Sequence, residues 1–226
     1  MDCISAERIQ EELAKLLAAP QPGAYLEPAV LAVVLPELTP ENLTAAKPVV
    51  DACPAGEENL PVRWAALLGA LGETDTRRVL KRLRCSNACI EETAVLVRET
   101  AGEGVCGSFL LGHAPVHAGE VTIRQLLGRY GLRTVERLCA LCAALHPQNA
   151  PACALAAQRA RQLEANGACC RVSQLAVNGR DLMAAGIPAG PALRRVLEAL
   201  LDGVISAEYP NEKTALLAAA QKIIAS

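Results

Sequence analysis

The stretch Gly190-Pro191-Ala192-Leu193-Arg194-Arg195-Val196-Leu197-Glu198-Ala199-Leu200-Leu201-Asp202-Gly203-Val204 decides the fold class. Its apolar residues, Leu193, Val196, Leu197, Leu200, Leu201 and Val204, recur at i, i+3, i+4, i+7, i+8 and i+11, which is one face of an α-helix. Proline at the first helical position loses no hydrogen bond, because the amide there has no partner in any helix, so Gly190-Pro191 marks the start. The spacing predicts a helix over 191–206. Working outward, Gly186 ends a short helix before it by taking the left-handed conformation. Asn211 is placed to cap a last helix over 212–224.

The rest of the chain follows the same period. Ile9, Leu13, Leu16 and Leu17 form a stripe near the N-terminus. Thr39-Pro40 has the form of an N-cap followed by proline at the first helical position, and Thr122-x-x-Gln125 has the form of a capping box. Sustained period-two alternation is absent, and so are hairpin dipeptides between apolar runs. The expectation is an all-α fold, an irregular array of about ten short helices joined by short turns. One stretch interrupts it. Residues 101–119 hold Gly102, Gly104, Gly107, Gly112, Gly119 and Pro115, which reads as a hinge or loop joining two helical halves. No strict repeat of about 34 residues is visible, which disfavours a helix-pair solenoid.

Composition bounds the function. The chain has 226 residues, 52% of them hydrophobic and 20% charged, enough apolar content to exclude a disordered chain. Its five aromatics, Tyr25, Trp64, Phe109, Tyr130 and Tyr209, are too few for RNA modules that stack bases on aromatic side chains. Twenty-two basic residues against 24 acidic ones leave a formal charge of −2, so any nucleic-acid site must be a local patch. The N-terminus lacks a basic segment followed by an apolar run, so no secretory signal is read there. The longest apolar stretch, Pro28 to Pro36, is far short of the roughly 20 residues that span a bilayer. A cytoplasmic protein with no membrane contact is expected. Its ten cysteines then read as reduced thiols.

Two cysteine spacings invite a metal reading, Cys139-x-x-Cys142 and the set Cys106, His113 and His117. The first falls on the apolar face set by Val135, Leu138 and Leu145, where cysteine acts as a small hydrophobe. No second C-x-x-C follows at ribbon spacing, and the adjacent Cys169-Cys170 suits a tetrahedral site poorly. No metal site and no cofactor are expected in this chain.

Catalytic signatures are also missing. There is no phosphate-binding G-x-x-x-x-G-K-[ST], no G-x-G-x-x-G after a strand and no H-E-x-x-H. No Asp-x-Asp pair is available for two metal ions, and Gly107-Ser108 is followed by no carboxylate pair. What the chain does carry is local basic charge. Arg77, Arg78, Lys81, Arg82 and Arg84 lie within eight residues, and helical spacing aligns 77 with 81 and 78 with 82. Their cationic face suits phosphate; equally, Glu73, Asp75, Glu91 and Glu92 are near enough in sequence to pair with it. Further arginines cluster at 124, 129, 133 and 137, at 159, 161, 171 and 180, and at 194 and 195.

Several segments carry a family resemblance. Ser5-Ala6-Glu7-Arg8-Ile9-Gln10-Glu11-Glu12-Leu13 resembles the I-S-x-E-R-I-x-x-E-L helix of the bacterial class II CCA-adding tRNA nucleotidyltransferase and poly(A) polymerase family. Leu35-Pro36-Glu37-Leu38 stands where that family has L-P-E-L. Arg63-Trp64-Ala65-Ala66-Leu67-Leu68 resembles its R-x-A-x-L-L helix, and Lys81-Arg82-Leu83-Arg84-Cys85-Ser86-Asn87 its L-K-R-L-x-x-S-N segment. Gly179-Arg180-Asp181-Leu182, Gly186-Ile187-Pro188-Ala189-Gly190-Pro191 and Pro210-Asn211-Glu212 follow the family's tail pattern.

The resemblance implies a division into the end of a neck region (1–20), a helical body (21–100), the glycine-rich segment (101–119) and a helical tail (120–226). The family's G-G-x-V-R-D, D-x-D and E-D-x-x-R motifs have no counterpart here, and Gly69-Ala70 stands where some relatives carry His-Asp. The expectation is therefore a chain without a catalytic head, inactive alone, whose Mg2+ would belong to that head. Its partners would be tRNA, gripped along the acceptor stem and elbow in 3′-end processing, and a separate catalytic head. Self-association through the exposed neck end is a further expectation. The residues assigned to RNA are Arg77, Arg78, Lys81, Arg82, Arg84, Arg129, Arg133, Arg180, Arg194 and Arg195. The alternative is a non-catalytic helical protein-interaction module that has lost RNA binding.

Overall fold

The computed structural model describes residues 5–101 and 116–225. The described residues form twelve α-helices and short 3-10 turns, with no strand. The helices are α1 (Ala6–Ala18), α2 (Pro28–Val34), α3 (Pro40–Ala52), α4 (Leu60–Leu68), α5 (Gly72–Arg82) and α6 (Asn87–Thr100). The next helix, α7 (Val116–Tyr130), begins within the last residues of the segment 101–119, and α8 (Leu132–Leu145), α9 (Ala150–Ala165), α10 (Gly179–Ala184), α11 (Pro191–Ile205) and α12 (Lys213–Ala225) follow. The all-α expectation holds. No described helix is long and apolar enough to cross a membrane.

The helix starts obey local chemistry. Ser5, Thr39, Ser86 and Asn178 each accept an orphan amide of the first turn, and Pro191 opens α11 as its position predicts. Gly186, at φ 93°, closes α10 with two backward bonds, Gly186 N–H to Met183 and Ile187 N–H to Leu182, the paired bonds of a Schellman ending. Two local signals read differently in the fold. Thr122 lies inside α7 rather than at its start, because the helix already runs from Val116. Asn211 caps no helix; its side chain accepts the Ala176 amide at 2.8 Å and donates to the Gln174 carbonyl at 3.0 Å.

The described residues divide into two compact units, 5–101 with 133–157, and 116–132 with 158–225. The first unit is built around α4, whose residues from Pro61 to Leu68 are all buried. A helix apolar on every side is a central helix, and α4 packs against α3, α6 and α1. Helix α8 joins this unit although it follows the glycine-rich segment. Its Val135, Leu138 and Leu141 are buried, and Arg137 reaches the Glu92 carboxylate and the Glu58 carbonyl.

Arg63 on α4 is 1% exposed and faces no carboxylate within salt-bridge distance among the described residues. Its guanidinium donates instead to carbonyls: Leu17 and Ala19 at the end of α1, Cys53 at 2.9 Å at the end of α3, and Pro54 at 2.9 Å. The last carbonyls of a helix lack intrahelical partners and carry its negative pole, so one cation satisfies two helix ends at once.

The second unit is organised by the apolar stripe from Leu193 to Val204. Val196, Leu200 and Val204 are buried against Leu175, Val177, Leu182, Ile187 and Leu216, with Leu193, Leu197 and Leu201 packed at the margin. The Tyr209 ring lies over Gly203, where a Cβ would collide with it.

Arg63→Met would take the guanidinium donor from two buried and two part-buried carbonyls. Leaving buried polar groups unpaired costs about 1–3 kcal/mol each, so the variant is expected to lose about 3 kcal/mol or more in urea denaturation. Arg63→Lys, with one point charge for a planar fork, is expected to fall between wild type and Met.

Candidate nucleic-acid interface

The basic residues separate into those held by acids and those left open. On α5, Arg77 is bound by Glu73 at 3.0 Å and Glu91 at 2.6 Å. That contact holds the Glu91 carboxyl below its usual range. Arg78 pairs with Asp75 at 3.0 Å. Arg82 grips Glu37 with both Nε and Nη2 and donates to the Val34 carbonyl. Glu37 belongs to the L-P-E-L turn, so one family-like segment is tied to another. Arg84 reaches Glu7 at 3.8 Å. Its φ is +61°, and its N–H returns to the Lys81 carbonyl while that of Cys85 returns to Leu80. Arg84 therefore ends α5 as a left-handed residue. Lys81 is exposed and has no acidic partner among the described residues.

The second unit is different. Arg129, Arg180 and Arg195 are exposed and face no acid within salt-bridge distance among the described residues; so is Arg133, which belongs to the first unit. Arg194 pairs with Glu198, one turn away on the exposed side of α11, at 2.8 Å. Arg124 and Arg159 share Glu120 at 2.8 and 2.5 Å and hold its carboxyl below the usual range.

Within this unit a groove of about 630 Å³ is lined by Arg129, Arg171 and Arg194, with Gln125, Ser173 and, on one side, Glu198 and Asp202. Its wall is built by side-chain to backbone bonds. The Gln174 side-chain oxygen accepts the amides of Cys170 and Arg171 at 2.9 and 3.0 Å. Asn211 in turn holds the Gln174 carbonyl and the Ala176 amide. The Arg171 guanidinium donates to the Leu127 carbonyl near the end of α7 at 3.3 Å. Gly128 lets the two segments meet, since a Cβ there would strike the Cys170 carbonyl oxygen. Arg171 takes part in this groove but is not among the residues assigned from the sequence. The signal that finds it is the turn that brings it back to α7, which is tertiary. Asp181 is drawn toward Lys213 at 2.5 Å, which with the Asn178 amide keeps its carboxyl below the usual range.

Among the described residues no three His, Cys, Asp or Glu side chains gather so as to hold a metal ion. Cys139 and Cys142 are buried thiols. Cys106, His113, Gly107 and Ser108, and the side chain of His117, lie outside the described residues, as does most of 101–119.

Known proteins resemble this chain along its length. Residues 117–220 match the model of a putative tRNA nucleotidyltransferase domain 2. The CCA-adding enzyme of Geobacillus kaustophilus is 30% identical over 227 residues, an alignment that takes in 95% of this chain. The chain is therefore similar to CCA-adding enzymes over nearly all of its length. The CCA-adding enzyme of Pseudomonas putida is 31% identical over 108 residues, and that of Levilactobacillus brevis is 53% identical over 45 residues. The chain spans half the length of the Geobacillus relative and 28% of that of Pseudomonas putida; it overlaps the Levilactobacillus enzyme over 11% of its length. The three alignments take in 95%, 46% and 20% of this chain. No solved structure matches it.

Gly128→Ala tests the groove wall. Crowding a rigid backbone carbonyl costs about 1–3 kcal/mol, against about 1 kcal/mol recovered in helix propensity. A lowered melting temperature is expected, with faster hydrogen exchange at Cys170 and Arg171. An unchanged melting temperature would show that the two segments do not touch.

Proposed function

We propose that this chain is the tRNA-gripping portion of a CCA-adding enzyme, acting in tRNA 3′-end processing with nucleotidyl transfer left to a catalytic head outside this sequence. The observation that carries the reading is the alignment of 95% of the chain with half of a CCA-adding enzyme. The exposed arginines of the second unit support it. Duplex RNA hides its base edges in a deep, narrow groove, so a protein grips it through phosphate and 2′-hydroxyl contacts. Arg129, Arg171 and Arg194 around the groove, with the exposed Arg180 and Arg195 of the same unit, offer forked donors suited to phosphate.

The α5 arginines are a secondary contact in this reading. Exposed ion pairs contribute only about 0–1 kcal/mol, so a phosphate can displace Glu91 or Asp75 at small cost. Their pairing is also the observation that favours the second reading, a protein-interaction module without RNA. The exposed Tyr25, Val30 and Val33 support self-association through the N-terminal end, since clustered apolar side chains in water mark contact surfaces.

Binding to intact tRNA, with an unstructured RNA of equal length as control, is measured across a salt series. Preference for tRNA is expected, with log K falling by about 0.7–0.9 per phosphate contacted for each decade of salt. Replacing Arg129, Arg180, Arg194 and Arg195 by alanine should flatten the slope by about one unit for each phosphate no longer gripped. Replacing Arg77, Arg78 and Arg82 should change it less. Absence of binding to either RNA at low salt would reject the tRNA reading in favour of the protein-interaction module.

A further inference from the structure

We propose that Asp202 accepts a ribose 2′-hydroxyl from RNA held in the groove of the second unit, so that this groove distinguishes RNA from a polyanion of equal charge. The inference rests on the tRNA reading and deepens it, because it names the group besides phosphate that the groove recognises.

The groove, of about 630 Å³, is not lined by one sign of charge. Arg129, Arg171 and Arg194 stand there with two carboxylates, Glu198 and Asp202. Arg194, Glu198 and Asp202 recur at i, i+4 and i+8, which sets them in one row along α11. The two carboxylates are used differently. Arg194 donates from Nε to Glu198 at 2.8 Å, a contact that leaves the outer nitrogens of the guanidinium for a phosphate. Asp202 is exposed, and none of the three arginines of the groove comes within salt-bridge distance of it. Its backbone carbonyl takes the Ser206 amide at 2.9 Å and the Ser206 hydroxyl at 2.8 Å, while its carboxylate stays open to the groove.

A groove that held phosphate alone would be weakened by these acids. Like charges closer than the screening length, about 8 Å at physiological salt, repel one another. An ionised carboxylate only accepts hydrogen bonds, and phosphate oxygens accept them too, so Asp202 has nothing to offer a phosphate. The 2′-hydroxyl is a donor that A-form RNA presents at every nucleotide along its wide, accessible groove. The guanine amine is the other donor on that side, but it occurs at one base only, and a grip that ignores sequence gains nothing from it. A hydroxyl bonded to a carboxylate makes a short, charge-assisted bond. Arg194 and Asp202 lie eight residues apart on α11, about 12 Å along the helix. Cation and acceptor therefore address different groups of one strand, while Arg129 and Arg171 supply charge that offsets the acids.

Glu198 is a positioning residue in this arrangement, acting through Arg194, and Asp202 is the residue that sets specificity. Removing the Glu198 charge changes the attraction for every nucleic acid alike. Removing Asp202 changes that attraction and also erases the preference for the hydroxyl. Both substitutions delete one negative charge from the same groove, so a difference between them separates recognition from simple electrostatics.

The full chain is titrated with an intact tRNA transcript and with two versions of it, one carrying 2′-fluoro pyrimidines and one carrying 2′-fluoro purines. Fluorine keeps the A-form sugar and the phosphate charge but cannot donate. Wild type is expected to bind at least one fluorinated tRNA about ten-fold more weakly, the worth of one hydrogen bond to a charged group. Asp202→Ala should bring all three affinities to within about two-fold of one another. Glu198→Gln should keep the wild-type ratio. Asp202→Asn keeps an acceptor oxygen on the same stem and should retain part of the preference; it replaces the alanine variant if that protein's circular dichroism departs from wild type. Equal affinities in wild type would overturn the inference and leave the tRNA reading standing. A ratio that survives Asp202→Ala, or that Glu198→Gln abolishes equally, would overturn it as well. Binding to none of the three RNAs would reject the tRNA reading and this inference with it.

Discussion

A single buried guanidinium sets the geometry of the first unit. Arg63 sits where water is excluded, and an isolated charge there would cost several kcal/mol. It is tolerated because its donors meet carbonyls from the ends of α1 and α3 and from the turn after α3. Those carbonyls would otherwise be orphans themselves. Each side therefore removes the other's desolvation problem, and α1 and α3 must both end against α4. Trp64, the next residue, is fully buried. The position of one polar side chain thus fixes how three helices meet, which apolar packing alone leaves loose.

The second unit reaches a defined shape by neutral means. Gln174 and Asn211 bond to backbone groups of neighbouring segments, and Asn178 caps α10. Ordering this wall with amides leaves Arg129 of its lining without an acidic partner among the described residues, while Arg171 bonds to the Leu127 carbonyl and Arg194 to Glu198. In α5 the opposite holds: Arg77, Arg78 and Arg82 are engaged by Glu73, Glu91, Asp75 and Glu37. A net charge of −2 is therefore compatible with a positively lined groove.

Much of the fold was legible in the chain. The stripe from Leu193 to Val204 reads as a helix because 3.6-residue periodicity is a local property, and the structure places that face in the core. Thr39-Pro40 and Gly186 are legible for the same reason, since a cap or a left-handed turn is satisfied within a few residues. The site is less legible. The arginines of α5 can be found by spacing, but whether each meets an acid depends on Glu37 and Glu91, which lie 45 and 14 residues away. Arg171 enters the groove only through a turn that returns it to α7.

The sequence by itself determined the helices, most of their caps and the resemblance to CCA-adding enzymes, because periodicity, turn chemistry and motif order are all written in neighbouring residues. The tertiary structure decided the rest. It assigned α8 to the first unit, although the glycine-rich segment separates it from those helices in the chain. It turned Asn211 from a helix cap into a clamp on Gln174 and Ala176. It left Arg129 open while Glu37 and Glu91 engaged Arg82 and Arg77. The physical reason is common to all three: a buried face, an amide and a charge each accept any partner of suitable chemistry, and only the packed chain determines which one comes within reach.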